Sequence, residues 1–147
     1  MNKEKLEKIL FSLLAIVMVG YFAYSMIVDP FKHIEDRNGE KQEVSVVIEM
    51  KDDEISSISI DETYTQDGER TTKKRLGASY GMKDVEGSKG EWNEQIKHLE
   101  MELIGTDGDI DLNDEGYPTD EDITSGCTIN LMNIDKAIEN AISNARK

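Results

Sequence analysis

The chain has 147 residues, a third of them charged, with a formal net charge of −14. That length suits one folded domain, and that charge argues against nucleic acid as a partner, because affinity for phosphate backbones comes from counterion release by Lys and Arg. Cys127 is the single cysteine, which excludes an internal disulfide, and His33 and His98 add too few ligands for the usual four-ligand zinc site.

The first element is apolar. Ile9 to Val28 holds no charged residue, and twenty helical residues span about 30 Å, the thickness of a bilayer's hydrocarbon core. Lys3, Lys5 and Lys8 against Glu4 and Glu7 give the first 28 residues a net of +1, which leaves −15 on the rest. The positive-inside rule then predicts a single-pass cell-membrane protein, residues 1–8 cytoplasmic, 9–28 spanning, and the remainder extracytoplasmic. A cleaved signal peptide is the alternative, with Ala23-Tyr24-Ser25 as its one small-x-small candidate.

Residues 29–42 read as a linker, whose twelve residues from Phe31 to Gln42 would reach roughly 20 Å as a random coil. Alternation of Val44, Val46 and Ile48 with Ser45, Val47 and Glu49 predicts a strand, Lys51 to Glu54 a charged turn, and Ile55, Ile58 and Ile60 its antiparallel mate. Glu62 to Leu76 is polar and is expected to cross the surface without regular structure. Ser88-Lys89-Gly90-Glu91 has the form of a capping box, ahead of Trp92, Ile96, Leu99 and Leu103 at helical spacing, with Gly105 as terminator. Asp107 to Asp122 is an acidic loop. Its Asp107, Asp109 and Asp111 match the start of an EF-hand, but Leu112 replaces the turn glycine and Pro118 the bidentate Glu, so no metal is assigned. Ile134, Ala137, Ile138, Ala141, Ile142 and Ala145 form one stripe of a final helix, with Arg146 and Lys147 completing its dipole. The order predicts an α+β domain over 43–147, a small antiparallel sheet packed with two helices and preceded by one transmembrane helix.

Between the acidic loop and the last helix lies Asp122-Ile123-Thr124-Ser125-Gly126-Cys127-Thr128. Small side chains, hydroxyls and backbone N–H groups before a helix suit a phosphate, and they equally suit an ordinary helix cap. The segment resembles the flavinylation motif of the FMN-binding domain family: Asp, two variable residues, Ser or Thr, Gly, usually Ala, then Thr. Asp122, Ser125, Gly126 and Thr128 match, and Cys127 stands where Ala or Ser is usual. The hairpin Val44 to Ile60, Tyr80-Gly81-Met82-Lys83, Gly90-Glu91-Trp92 and the closing helix extend the resemblance over about Glu43 to Ala145.

The resemblance implies FMN joined to Thr128 by a phosphoester, installed by a magnesium-dependent flavin transferase that uses FAD. It implies that Asp122 helps position that encounter, that Ser125 and the Gly126 backbone cradle the phosphate beside Cys127, and that Tyr80, Met82 and Trp92 wall the isoalloxazine ring. The protein would be an electron carrier without catalytic residues of its own, exchanging with a redox protein or quinone. The acidic surround is expected to lower the flavin's potential. The competing reading is a flavin-free interaction module or accessory subunit of a membrane complex. It is motivated by Cys127 and by Ile129-Asn130-Leu131, where the family often has further serines.

Overall fold

A computed structural model describes residues 34–35 and 41–147 of the chain. Residues 9–28, read from the sequence as a membrane span, lie outside the described residues, and no helix among those described is long and apolar enough to cross a membrane.

Strands β1 (Ile34–Glu35) and β2 (Lys41–Gln42) pair antiparallel, Ile34 opposite Gln42. The main sheet has three antiparallel strands in the order β3-β4-β5: β3 (Val44–Lys51), β4 (Glu54–Gln66) and β5 (Glu69–Thr72). Val44, Val46, Ile48 and Met50 face the core from β3 and Ile58 and Ile60 from β4 with period two; Ile55, three positions before Ile58, joins that face through the register shift opposite Glu49 and Met50. Asp52 (φ 54°) and Asp53 (φ 65°) both hold positive φ in the first turn. That is the backbone a two-residue hairpin needs to match the strands' twist.

The polar stretch Glu62 to Leu76 is regular, contrary to expectation. β4 continues to Gln66, Asp67 (φ 54°) and Gly68 (φ 81°) make a second two-residue turn, and β5 returns to helix α1 (Lys73–Leu76) and a 3-10 helix (Gly77–Tyr80). Apolar alternation is missing there because polar partners replace it. Glu62 is buried against Lys73, and the Ile60 N–H, beyond the end of the short β5, donates to Glu100 Oε1 at 2.7 Å.

Helix α2 (Trp92–Leu103) packs on β4, and its predicted stripe of Trp92, Ile96, Leu99 and Leu103 is buried. Its cap is not Ser88. Gly90, at φ 150°, holds a backbone that resists helix, so the box shifts three residues, with Glu91 as N-cap and Glu94 accepting the Glu91 N–H at 2.8 Å. Gly105 (φ 82°) ends the helix as expected, and its N–H donates to the Ile55 carbonyl, which staples the helix end to the hairpin.

Two further helices follow the acidic loop. The short α3 (Glu121–Gly126), which the sequence reading did not include, is capped by Asp120, whose side chain accepts from the Asp122 and Ile123 N–H groups. The last, α4 (Met132–Ala145), covers β3 with Ile134, Ile138 and Ile142. Its Ala145 is exposed, and Arg146 reaches toward Asp53 at 3.7 Å. The described region is thus α+β, a three-stranded antiparallel sheet with one face covered by helices.

Candidate functional site

A cleft of about 630 Å³ opens beside the N-terminal half of α2, within the size range of small-molecule sites. Thr128 lines it, together with Met82, Trp92 and Gln95. What puts Thr128 there is an extended run after α3. Cys127, Ile129 and Leu131 are buried, while Thr128 and Asn130 between them are more exposed and line the cleft, which Ile129 also touches. Strand-like alternation thus turns the hydroxyl out and its neighbours in.

Gln95 holds Thr128 in place. It is 1% exposed on the apolar face of α2. Its Oε1 accepts the Thr128 N–H at 2.8 Å and lies 3.2 Å from Thr128 Oγ1, which also donates to the Gly87 carbonyl at 3.2 Å. Its Nε2 donates to Ser88 Oγ and to the Gly90 carbonyl, each at 2.9 Å, and lies 3.6 Å from Met82 Sδ. A buried amide so bonded avoids the penalty of an unmade hydrogen bond. Ser88, displaced from its expected capping role, is part of this network.

A buried ion pair forms another part of the wall. Lys73 Nζ and Glu62 Oε2 are 2.7 Å apart, their side chains 9% and 12% exposed, and both residues line the cleft. The ammonium lies 5.2 Å from the centre of the Tyr80 ring and 5.5 Å from that of Trp92, within cation–π range. Tyr80 itself meets Tyr64 edge-on at 5.1 Å and supports Lys73 from behind, whereas Met82 and Trp92 line the cleft directly.

The other motif residues stand apart from the cleft. Asp122 and Ser125 are exposed on α3, and the Asp122 carbonyl accepts from Ser125 Oγ and meets His98 Nε2, both at 2.8 Å. Ser125 Oγ is 3.3 Å from the same His98 nitrogen. Gly126 lies against the ring: a Cβ there would be 2.5 Å from His98 Cδ2. The glycine is required by the histidine's close approach, and Ser125 and Gly126 are engaged with His98 on α2. Cys127 is fully buried, and burial pushes its thiol up to about 11, so it behaves as a small core residue with little nucleophilic character. Ile129 and Leu131, the departures from the family's serines, are core residues as well.

Gln95, the Lys73–Glu62 pair and His98 escaped the sequence reading. Gln95 left a local trace, a polar residue one turn after Trp92 on an otherwise apolar stripe. Lys73 and Glu62 left none, since their meeting depends on the β4–β5 turn. Among the described residues, no group of three or more His, Cys, Asp or Glu is placed to hold a metal ion.

Met82 and Val85 give the cleft apolar atoms, Trp92 in its lining is only 2% exposed, Asn130 and Asn133 offer amides, and Lys73, paired with Glu62, is the one cation among the described lining residues. No family model, curated protein or solved structure matches the chain.

Proposed function

We propose that the protein is a membrane-tethered, extracytoplasmic electron carrier whose FMN is joined through its phosphate to Thr128. The observation that carries this reading is the placement of the Thr128 hydroxyl. Of the motif's residues it alone lines the cleft, beside Trp92 and Met82. Bound there, FMN would supply one- and two-electron redox chemistry.

The chain's own residues would do the rest. Thr128 fixes the tail, and Gln95 fixes Thr128. Trp92 and Met82 exclude water from one side of the ring by apolar and sulfur–aromatic contact. Lys73 is neutralised by Glu62, and Glu86 also lines the cleft, so the wall adds to the acidic surround rather than opposing it. The alternative is a flavin-free interaction module, motivated by Cys127 and Ile129-Asn130-Leu131; Cys127, Ile129 and Leu131 pack in the core, which both readings accommodate. The Ile9 to Val28 segment would act as the anchor. The electron partner would be a membrane quinone or a redox protein.

The test is co-expression of the full chain with a flavin transferase, read by intact mass and by flavin fluorescence that survives denaturation. The expected result is one FMN on the wild type and none on Thr128→Ala. An unmodified wild type, or a variant that keeps its flavin, would refute the proposal.

A further inference from the structure

We infer that Gln95 is the positioning residue that prepares Thr128 to receive the flavin phosphate, an inference that rests on Thr128 being the acceptor. The orientation of the Gln95 amide is dictated by its neighbours. The Gly90 carbonyl can only accept, so the NH₂ end must face it at 2.9 Å. The Thr128 N–H can only donate, so the oxygen end must face that at 2.8 Å. A flipped amide would lose both bonds at once.

The fixed oxygen then orients the hydroxyl. Oγ1 of Thr128 has two neighbours, Gln95 Oε1 and the Gly87 carbonyl, each at 3.2 Å. Both are acceptors, so the hydroxyl hydrogen is drawn toward them and the Oγ1 lone pairs are left uncommitted. The lone pairs are then open to an electrophile, and the hydrogen turns from these acceptors to a base of the transferase as the attack proceeds. In the transfer, Oγ1 bonds to the FAD phosphorus on the riboflavin side. The phosphoanhydride bond breaks, AMP leaves with the bonding electrons, and the hydroxyl proton passes to a base. A neutral amide cannot take that proton, so the base must come from the transferase, and Gln95 acts through position alone.

The helix supplies the rigidity. Gln95 sits one turn into α2 between the buried Trp92 and Leu99, and its Nε2 ties the 87–90 loop to the same point through Ser88 and Gly90. Acceptor residue and entrance loop are therefore set by one side chain 33 positions away from Thr128.

The test measures transfer to the full-length chain with purified transferase, FAD and magnesium, following the FMN increment by intact mass over time. Gln95→Met keeps the length and removes the amide. Its kcat for transfer is expected to fall by about 10- to 100-fold, with the KM for the acceptor protein little changed; the melt drops, because the Thr128 N–H and the Gly90 carbonyl lose their partner, but stays cooperative. Gln95→Glu is the conservative rescue. Its neutral carboxyl keeps a donor toward Gly90 and an acceptor toward Thr128, so transfer is expected near wild type at acid pH. It should decline as the carboxyl ionises against the Gly90 carbonyl, a decline the wild type lacks. Wild-type kcat in Gln95→Met, or a Gln95→Glu profile parallel to wild type, would overturn the inference. If Gln95→Met fails to fold, the Gln95→Glu profile decides alone. A wild type that never takes flavin removes the Thr128 reading itself, and that outcome is distinct from equal loading of wild type and variants.

Discussion

Gly126→Ala puts the packing of the motif to a quantitative test. Gly126 is the last residue of a helix and does not hold positive φ. On propensity alone, alanine would therefore stabilise it by up to about 1 kcal/mol. The new methyl, however, would lie 2.5 Å from His98 Cδ2 and 2.7 Å from Nδ1, well inside contact distance. The imidazole must swing out, which breaks its 2.8 Å bond to the Asp122 carbonyl, a loss of about 1 kcal/mol. Otherwise the backbone of α3 shifts, and overpacking of that kind costs about 1–3 kcal/mol. The net expectation lies between neutrality and destabilisation by about 2 kcal/mol. In a His98→Ala background the obstacle is gone, and the same substitution should be neutral or stabilising. Urea unfolding of the four proteins of the double-mutant cycle measures this as a coupling of at least about 1 kcal/mol. Equal destabilisation by Gly126→Ala in both backgrounds would refute the packing account and return the glycine to a role in ligand approach.

Other expectations follow from the same geometry. Lys73→Met strands the Glu62 carboxylate in the wall and should cost about 3–5 kcal/mol, with most of it recovered in Lys73→Met/Glu62→Gln; thermal melts that show no recovery would contradict the ion-pair assignment. Cys127 binds its proton more tightly folded than unfolded, so stability should fall as pH rises from the ordinary thiol value of 9.0 toward about 11. The loss should vanish in Cys127→Ala, and native Cys127 should resist alkylation near pH 8 until the chain unfolds. Asp120→Ala removes the acceptor for two N–H groups of α3 and should cost about 1 kcal/mol in urea titrations.

Much of the fold was written in local periodicity. The hairpin from Val44 to Ile60 and the helices built on Trp92, Ile96, Leu99 and Leu103 and on Ile134, Ile138 and Ile142 repeat their apolar residues every two or every three to four positions. Neighbours that close set which face is buried, whatever the rest of the chain does. The continuation of β4 through Glu62 to Gln66 was hidden because its partners are a buried lysine and a short edge strand, neither visible as alternation. The cap of α2 lies three positions beyond Ser88 although Ser is the better N-cap by residue type, because the backbone at Gly90 interrupts any helix begun at Ser88.

The site divides along the same line. Sequence alone determined that a Ser-Gly-x-Thr segment precedes the last helix and that an aromatic and a methionine stand nearby in the chain. Tertiary structure decided which of these residues share a space. It brought Thr128 to the cleft with Gln95, Met82 and Trp92, set Gly126 and Ser125 against His98, and sank Cys127 into the core. Contacts between residues 27 to 41 positions apart arise from how α2, α3 and the sheet pack. No local pattern encodes them, because each depends on the position of the other elements in space.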